Sequence, residues 1–184
     1  MKKRTLPHAF FARPTLAVAR GLLGKYIVRK WRGREIALMI PEVAAYDGPH
    51  DRASHASRGR TPRTDVMFGP PGVFYVYFTY GMHWMLNIVT GQREYPAAVL
   101  IRAGAYRNPE TGALMRVTGP ARLTKFLRVS GAQNRMRAGR ANGLWFEDRG
   151  VRVPRAKIMA GKRVGVDYAG EIWAAKPYNF KMRD

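Results

Sequence analysis

The chain has 184 residues, 46% of them hydrophobic, which is enough to bury the core of one compact domain without disulfide or metal staples. It contains no cysteine, so disulfides, iron–sulfur clusters and cysteine-ligated zinc are excluded. Its 33 Lys and Arg outweigh 12 Asp and Glu, and the net charge of +21 draws polyanions over a Debye length. Nucleic acid is therefore the leading partner, with an anionic membrane surface or simply a basic soluble protein as the competing readings.

Residues 1–5 read as a short, loose, basic end. Residues 14–23 predict a helix, with Pro14 at its first turn and Gly24 just past its last. Residues 25–31 and 35–46, rich in Ile, Val and aromatics, predict two strands turned at Arg32-Gly33-Arg34, and Pro41 marks an edge or a bulge. Residues 47–71 lack periodicity and carry Gly, Pro, Ser and Arg, so they read as a loop long enough to suggest function.

Residues 72–79 and 83–90 predict a β-hairpin with Tyr80-Gly81-Met82 at its tip, followed by a strand over 97–102. Gly119-Pro120 opens a helix through Leu127. Residues 131–142, with Arg135, Arg137 and Arg140, read as a mobile basic loop, and 162–167 as a last strand. No apolar run has the length of a transmembrane helix or a signal-peptide core. The expected location is intracellular: cytoplasm and nucleoid in a bacterium, nucleus in a eukaryote.

Strand alternation places Glu42, Ala44 and Tyr46 on one face and Pro41, Val43 and Ala45 on the other. By the same rule Tyr75, Tyr77 and Thr79 share a face, and Phe74, Val76 and Phe78 share the opposite, core-like one. A nucleobase taken out of a duplex needs flat apolar walls and a few directional groups at its edge, which Tyr46, His55 and Tyr77 can supply. Buried tyrosines with satisfied hydroxyls are the competing account. His50, Asp51 and His55 match no strong zinc spacing, so no metal is expected.

An ordered series of blocks, from about residue 7 to 180, resembles the alkyladenine (3-methyladenine) DNA glycosylase family. The blocks are 42–57, Thr61-Pro62-Arg63, Met67-Phe68, Pro71-Gly72, Tyr75-Val76-Tyr77, Tyr80-Gly81-Met82, Asn87, Arg102, Gly119-Pro120, Arg163-Val164-Gly165-Val166 and Ala169-Gly170-Glu171. The resemblance implies an α+β (mixed α/β) single domain with a curved antiparallel sheet, flanking helices and a protruding hairpin, and no cofactor. It implies a monomer acting on damaged purines in double-stranded DNA.

By position, Tyr46, His55 and Tyr77 resemble the walls around a flipped base, and Tyr80 the side chain that fills the vacated stack, with Met82 and His83 flanking it in the minor groove. Asn87 matches the residue that excludes ordinary guanine, and Arg102 an arginine near the hydrolytic water; a satisfied structural amide and a structurally paired arginine are the competing readings. Arg58, Arg60 and Arg63 contact phosphate or solvate a surface.

One position departs from the pattern. The family carries a catalytic glutamate where this chain has Ala44. A methyl group accepts no proton, so the expected loss is roughly 10²–10⁴ in rate while binding survives. Glu42 lies on the same face, but two residues along a strand is a displacement of about 6.6 Å, too far for full compensation. The sequence thus supports an impaired N-glycosylase, a non-catalytic lesion binder or a charge-driven nucleic-acid chaperone. Tyr80→Ala separates the last from the other two.

Overall fold

The computed structural model describes residues 3–183. In chain order the elements are β1 (Arg4–Thr5), α1 (His8–Phe11), α2 (Thr15–Leu22), β2 (Tyr26–Trp31), β3 (Arg34–Tyr46), β4 (Phe74–Thr79), β5 (His83–Val89), β6 (Ala98–Arg107), β7 (Leu114–Thr118), α3 (Pro120–Phe126), β8 (Leu144–Asp148), β9 (Ile158–Gly161), α4 (Glu171–Ala175) and β10 (Asn179–Met182). The strands form one curled antiparallel sheet in the spatial order β1-β8-β2-β3-β6-β5-β4. β7 adds to β6, and β10 pairs with both β3 and β9. This is the mixed α+β domain expected, and no helix among the described residues is long and apolar enough to cross a membrane.

α2 forms where the sequence places it. Thr15, Val18, Ala19 and Leu22 recur at helical spacing and are its buried residues, facing β3 and β6. Full burial of a side chain such as Leu22 contributes about 1.5–3 kcal/mol. β2 and β3 turn through Arg32 (φ 47°) and Gly33 (φ 78°), two left-handed residues that match the twist of a two-residue hairpin.

Strand β3 is the spine of the site. β2 flanks its first half and β10 its end on one edge, and β6 runs along the other. Its register with β6 shifts on both sides of Glu42, so the bulge expected from Pro41 is present. Beyond it Val43 and Ala45 enter the main core with Phe74, Val76, Ile101 and Phe180. Ala44 and Tyr46 therefore face the opposite side of the sheet.

Three sequence expectations need correction. Residues 4–5 form a strand on β8 and are not a loose end; residues 1–2 of that segment lie outside the described residues. Residues 162–167 are no strand: Gly165 has φ 74°, Val164 is exposed, and the Arg163 side chain is drawn into a buried ion pair. Residues 131–142 are tied to the edge of β4 rather than left as an unattached loop. The Arg135 amide donates to the Phe74 carbonyl, the Phe74 amide to the Met136 carbonyl, and the Val76 amide to Asn134 Oδ1.

The long segment 47–71 is built, not slack. It contains two 3₁₀ turns, His55–Arg58 and Asp65–Phe68. Ala56, Val66 and Met67 pack with Tyr75, Val89 and Ala98 in a second apolar cluster. Thr64 Oγ accepts from the Thr61 amide and donates to the Gly59 carbonyl, satisfying backbone groups that neither helix nor sheet reaches.

Candidate active site

Between the end of β3, the β4–β5 hairpin and the loops over 53–55 and 164–168 lies a cavity of about 310 Å³, roomy enough for a purine ring. Tyr46, His55, Tyr77, Tyr80, Asn87 and Arg102 all line it. Six side chains from five separate stretches of sequence thus reach one cleft.

The alternation of β4 makes one wall. Tyr75 and Tyr77 point to the same face, their ring centroids 5.1 Å apart, and His55 meets the Tyr77 ring edge-on at 4.7 Å. The Tyr75 hydroxyl and His55 Nδ1 are hydrogen-bonded at 2.9 Å, which fixes the imidazole. Burial, then the charges of Arg63 and Arg58, push the His55 pKa down to about 4, so the ring is neutral near pH 7. Tyr46 belongs to another cluster, with Ala53, Val166 and Ala169. The cavity is bordered by both groups of rings.

Burial raises the phenol pKa of Tyr46, although the Arg163 guanidinium 5.0 Å from its ring acts the other way. Tyr77 is raised as well, again chiefly by burial. The aromatic walls are therefore uncharged. Asn87 is buried, and its Nδ2 donates to the carbonyl of its cross-strand neighbour Tyr75 at 3.1 Å, so the amide is held in one orientation.

Arg102 reaches the cavity from β6, and its Nε donates to Glu42 Oε1 at 2.9 Å. Asn179 Nδ2 on β10 donates to the same oxygen at 3.2 Å. Ala44 is fully buried, paired in register with Leu100 on β6 and Asn179 on β10. Leu100 lines the cavity, so Ala44 lies one strand from a lining residue and brings no proton acceptor to that place.

At the hairpin tip Tyr80 is 82% exposed and adopts φ 51°, a left-handed conformation that an aromatic residue rarely takes. Met82 and His83 are exposed as well, but they line a different recess on the other side of the tip, with Trp84, Arg122, Lys125 and Arg128. Of the loop arginines, Arg60 pairs with Asp65 and Glu94, and Arg63 lies over the Tyr77 ring at 4.8 Å. Among the described residues no group of three or more His, Asp or Glu could hold a metal ion.

Of the other lining residues, Met85 and Tyr168 have no counterpart in the sequence reading, while Met67, Pro120, Val164 and Val166 enter it only within blocks of the resemblance and without a role. The Arg163 block was quoted only as part of a resemblance, yet its guanidinium bonds both Asp51 oxygens and the carbonyls of Ala45 and Trp173, which pins the 164–168 lip.

These features define a basic α+β domain with an aromatic, nucleobase-sized pocket beside a projecting hairpin. A family model described as methylpurine-DNA glycosylase matches residues 9–184. The chain is 46% identical over 178 residues to a protein of Anaeromyxobacter dehalogenans named as a 3-methyladenine DNA glycosylase, covering 97% of this chain and 83% of that one. A Myxococcus xanthus protein of the same name is 46% identical over 181 residues, covering 97% and 90%. One from Methanocella arvoryzae is 45% identical over 185 residues, covering 95% and 90%. The chain belongs to the methylpurine-DNA glycosylase family.

Proposed function

We propose that this protein rotates alkylated or otherwise damaged purines out of duplex DNA into the 310 Å³ cavity and hydrolyses their N-glycosidic bond slowly, for want of a carboxylate at position 44. The observation that carries the reading is the convergence of Tyr46, His55 and Tyr77 on one cavity beside the exposed Tyr80. Uncharged rings stack on either face of the base, and Tyr80 occupies the gap left in the duplex, offsetting stacking lost on flipping. Asn87, held by the Tyr75 carbonyl, presents a fixed amide to the base edge. The protein acts as a monomer, and its basic surface supplies affinity for the phosphate backbone.

In the reaction water adds to C1′, and the C1′–N bond breaks with its electron pair leaving on the purine. The proton of the water goes to solvent, because Ala44 cannot take it. A purine alkylated at N3 or N7 departs as a neutral base, so residual turnover concentrates on cationic lesions, and hypoxanthine or ethenoadenine suffer most.

Ala44 itself favours a second reading, a lesion-binding protein that retains the pocket without cutting. Single-turnover release of base in large protein excess, set against affinity for the same duplex, decides between them. Slow release with a cationic preference supports the first reading. Tight lesion binding with no release supports the second, and equal binding to undamaged DNA removes both.

A further inference from the structure

We infer that Glu42 sets the charge of the pocket: by neutralising Arg102 from behind, it allows a cavity with no carboxylate at position 44 to admit a positively charged purine. The inference rests on the base-pocket reading above and deepens it by assigning lesion class to one residue.

Arg102 is the one fully charged side chain among the described residues that line the cavity. His55 is neutral near pH 7, and the tyrosines are kept protonated by burial. Left alone, that guanidinium would repel a purine made cationic by alkylation, and would oppose the positive charge that grows on the sugar as the bond breaks. Both partners of the Arg102–Glu42 pair are largely shielded, with side-chain exposures of 13% and 14%, so solvent screens the pair only weakly.

Two elements aim the Glu42 carboxylate. Arg102 donates to Oε1 from β6, and Asn179 donates to the same atom from β10, where it stands in register opposite Ala44. The bulge at Glu42 lies within this arrangement. Asp51, the other carboxylate behind the pocket wall, is committed to Arg163 through both of its oxygens. The exposed Arg63 over Tyr77 adds a second cation near the pocket, but it does not line the cavity and does not bond Glu42, so its contribution is the same in the Glu42 variants.

The test is equilibrium binding to three duplexes of one sequence, carrying at one position the 2′-fluoro nucleotide of 7-methylguanine, of hypoxanthine or of an undamaged purine. The fluorine blocks cleavage, so affinity is read without turnover. Glu42→Gln keeps the oxygen that accepts from Arg102 and Asn179 and removes only the charge. The expected result is at least about a tenfold loss of preference for the cationic over the neutral lesion, the scale of one partly screened charge several ångströms away. Adding Arg102→Gln to that variant should restore the preference, which a purely structural role would not do.

Equal losses on both lesions, or no change on either, overturn the assignment while leaving the pocket reading intact. If Glu42→Gln does not fold, the double variant decides: failure to recover a cationic preference sinks the idea. Failure of the unaltered protein to prefer either lesion over undamaged duplex sinks the pocket reading instead.

Discussion

Asp51 and Arg163 form an ion pair whose side chains are both 0% exposed, tying the loop after β3 to the lip of the pocket. Arg163 Nη2 donates to Asp51 Oδ1 at 2.9 Å, and the Asp47 and Ala53 amides donate to the same carboxylate at 3.1 Å each. Removing one partner strands a buried charge. Asp51→Asn should therefore destabilise the protein by about 3–5 kcal/mol in urea unfolding. A loss below about 1 kcal/mol would show that water reaches Arg163 and that the pair is not the anchor of the lip.

Tyr80 gives the opposite balance of stability and function. Its φ of 51° and 82% exposure mean that the folded state holds an aromatic side chain in a conformation costing about 1–2 kcal/mol, with little packing in return. Tyr80→Gly should raise the unfolding midpoint slightly and weaken capture of a lesion-containing duplex. Tyr80→Ala should weaken capture without the gain. A Gly variant that binds lesions as well as the parent would leave the strained tip without a function.

The elements readable from sequence are those whose period is clean and whose ends carry glycine or proline: α2, β2, β3, the β4–β5 hairpin and α3. The strands missed are short or carry charge inward. β8 reads Leu-Trp-Phe-Glu-Asp, and its Glu147 is fully buried because Trp145 donates to it from within the strand and Arg140 and Arg149 from outside it. Conversely, Arg-Val-Gly-Val at 163–166 alternates like a strand, yet Arg163 and Val166 are the buried residues and Val164 is exposed, which breaks the alternation. The pocket walls were legible because Tyr46 and Tyr77 follow strand parity and His55 falls in a recognisable block. Asn179 was not, since only the β10 register sets it against Ala44.

His55 makes stability depend on pH in a defined window. Its folded pKa, pushed down to about 4, lies below the usual value of 6.5, so the unfolded chain takes up a proton first as pH falls. The associated stability is present above about pH 6.5 and is lost progressively toward pH 4. Urea midpoints at pH 7 and pH 4.5 should therefore fall further for the parent than for His55→Gln, in which that linkage is absent. Parallel curves would mean that the imidazole is as solvated in the fold as in the open chain.

Ala44→Glu is the most demanding prediction, because stability and turnover should move in opposite directions. The position is fully buried between Leu100 and Asn179, so a carboxylate there gives up hydration and should lower stability by about 1–3 kcal/mol. It also arrives on the face that carries Tyr46 and Glu42, where it can take a proton from water at C1′ and oppose the charge growing on the sugar. Single-turnover release should rise by about 10²–10⁴ for hypoxanthine. The gain should be smaller for 7-methylguanine, whose leaving group is already activated. Equal acceleration on both lesions would show that the new carboxylate assists through water alone, and that charge at position 44 does not govern which purines are released.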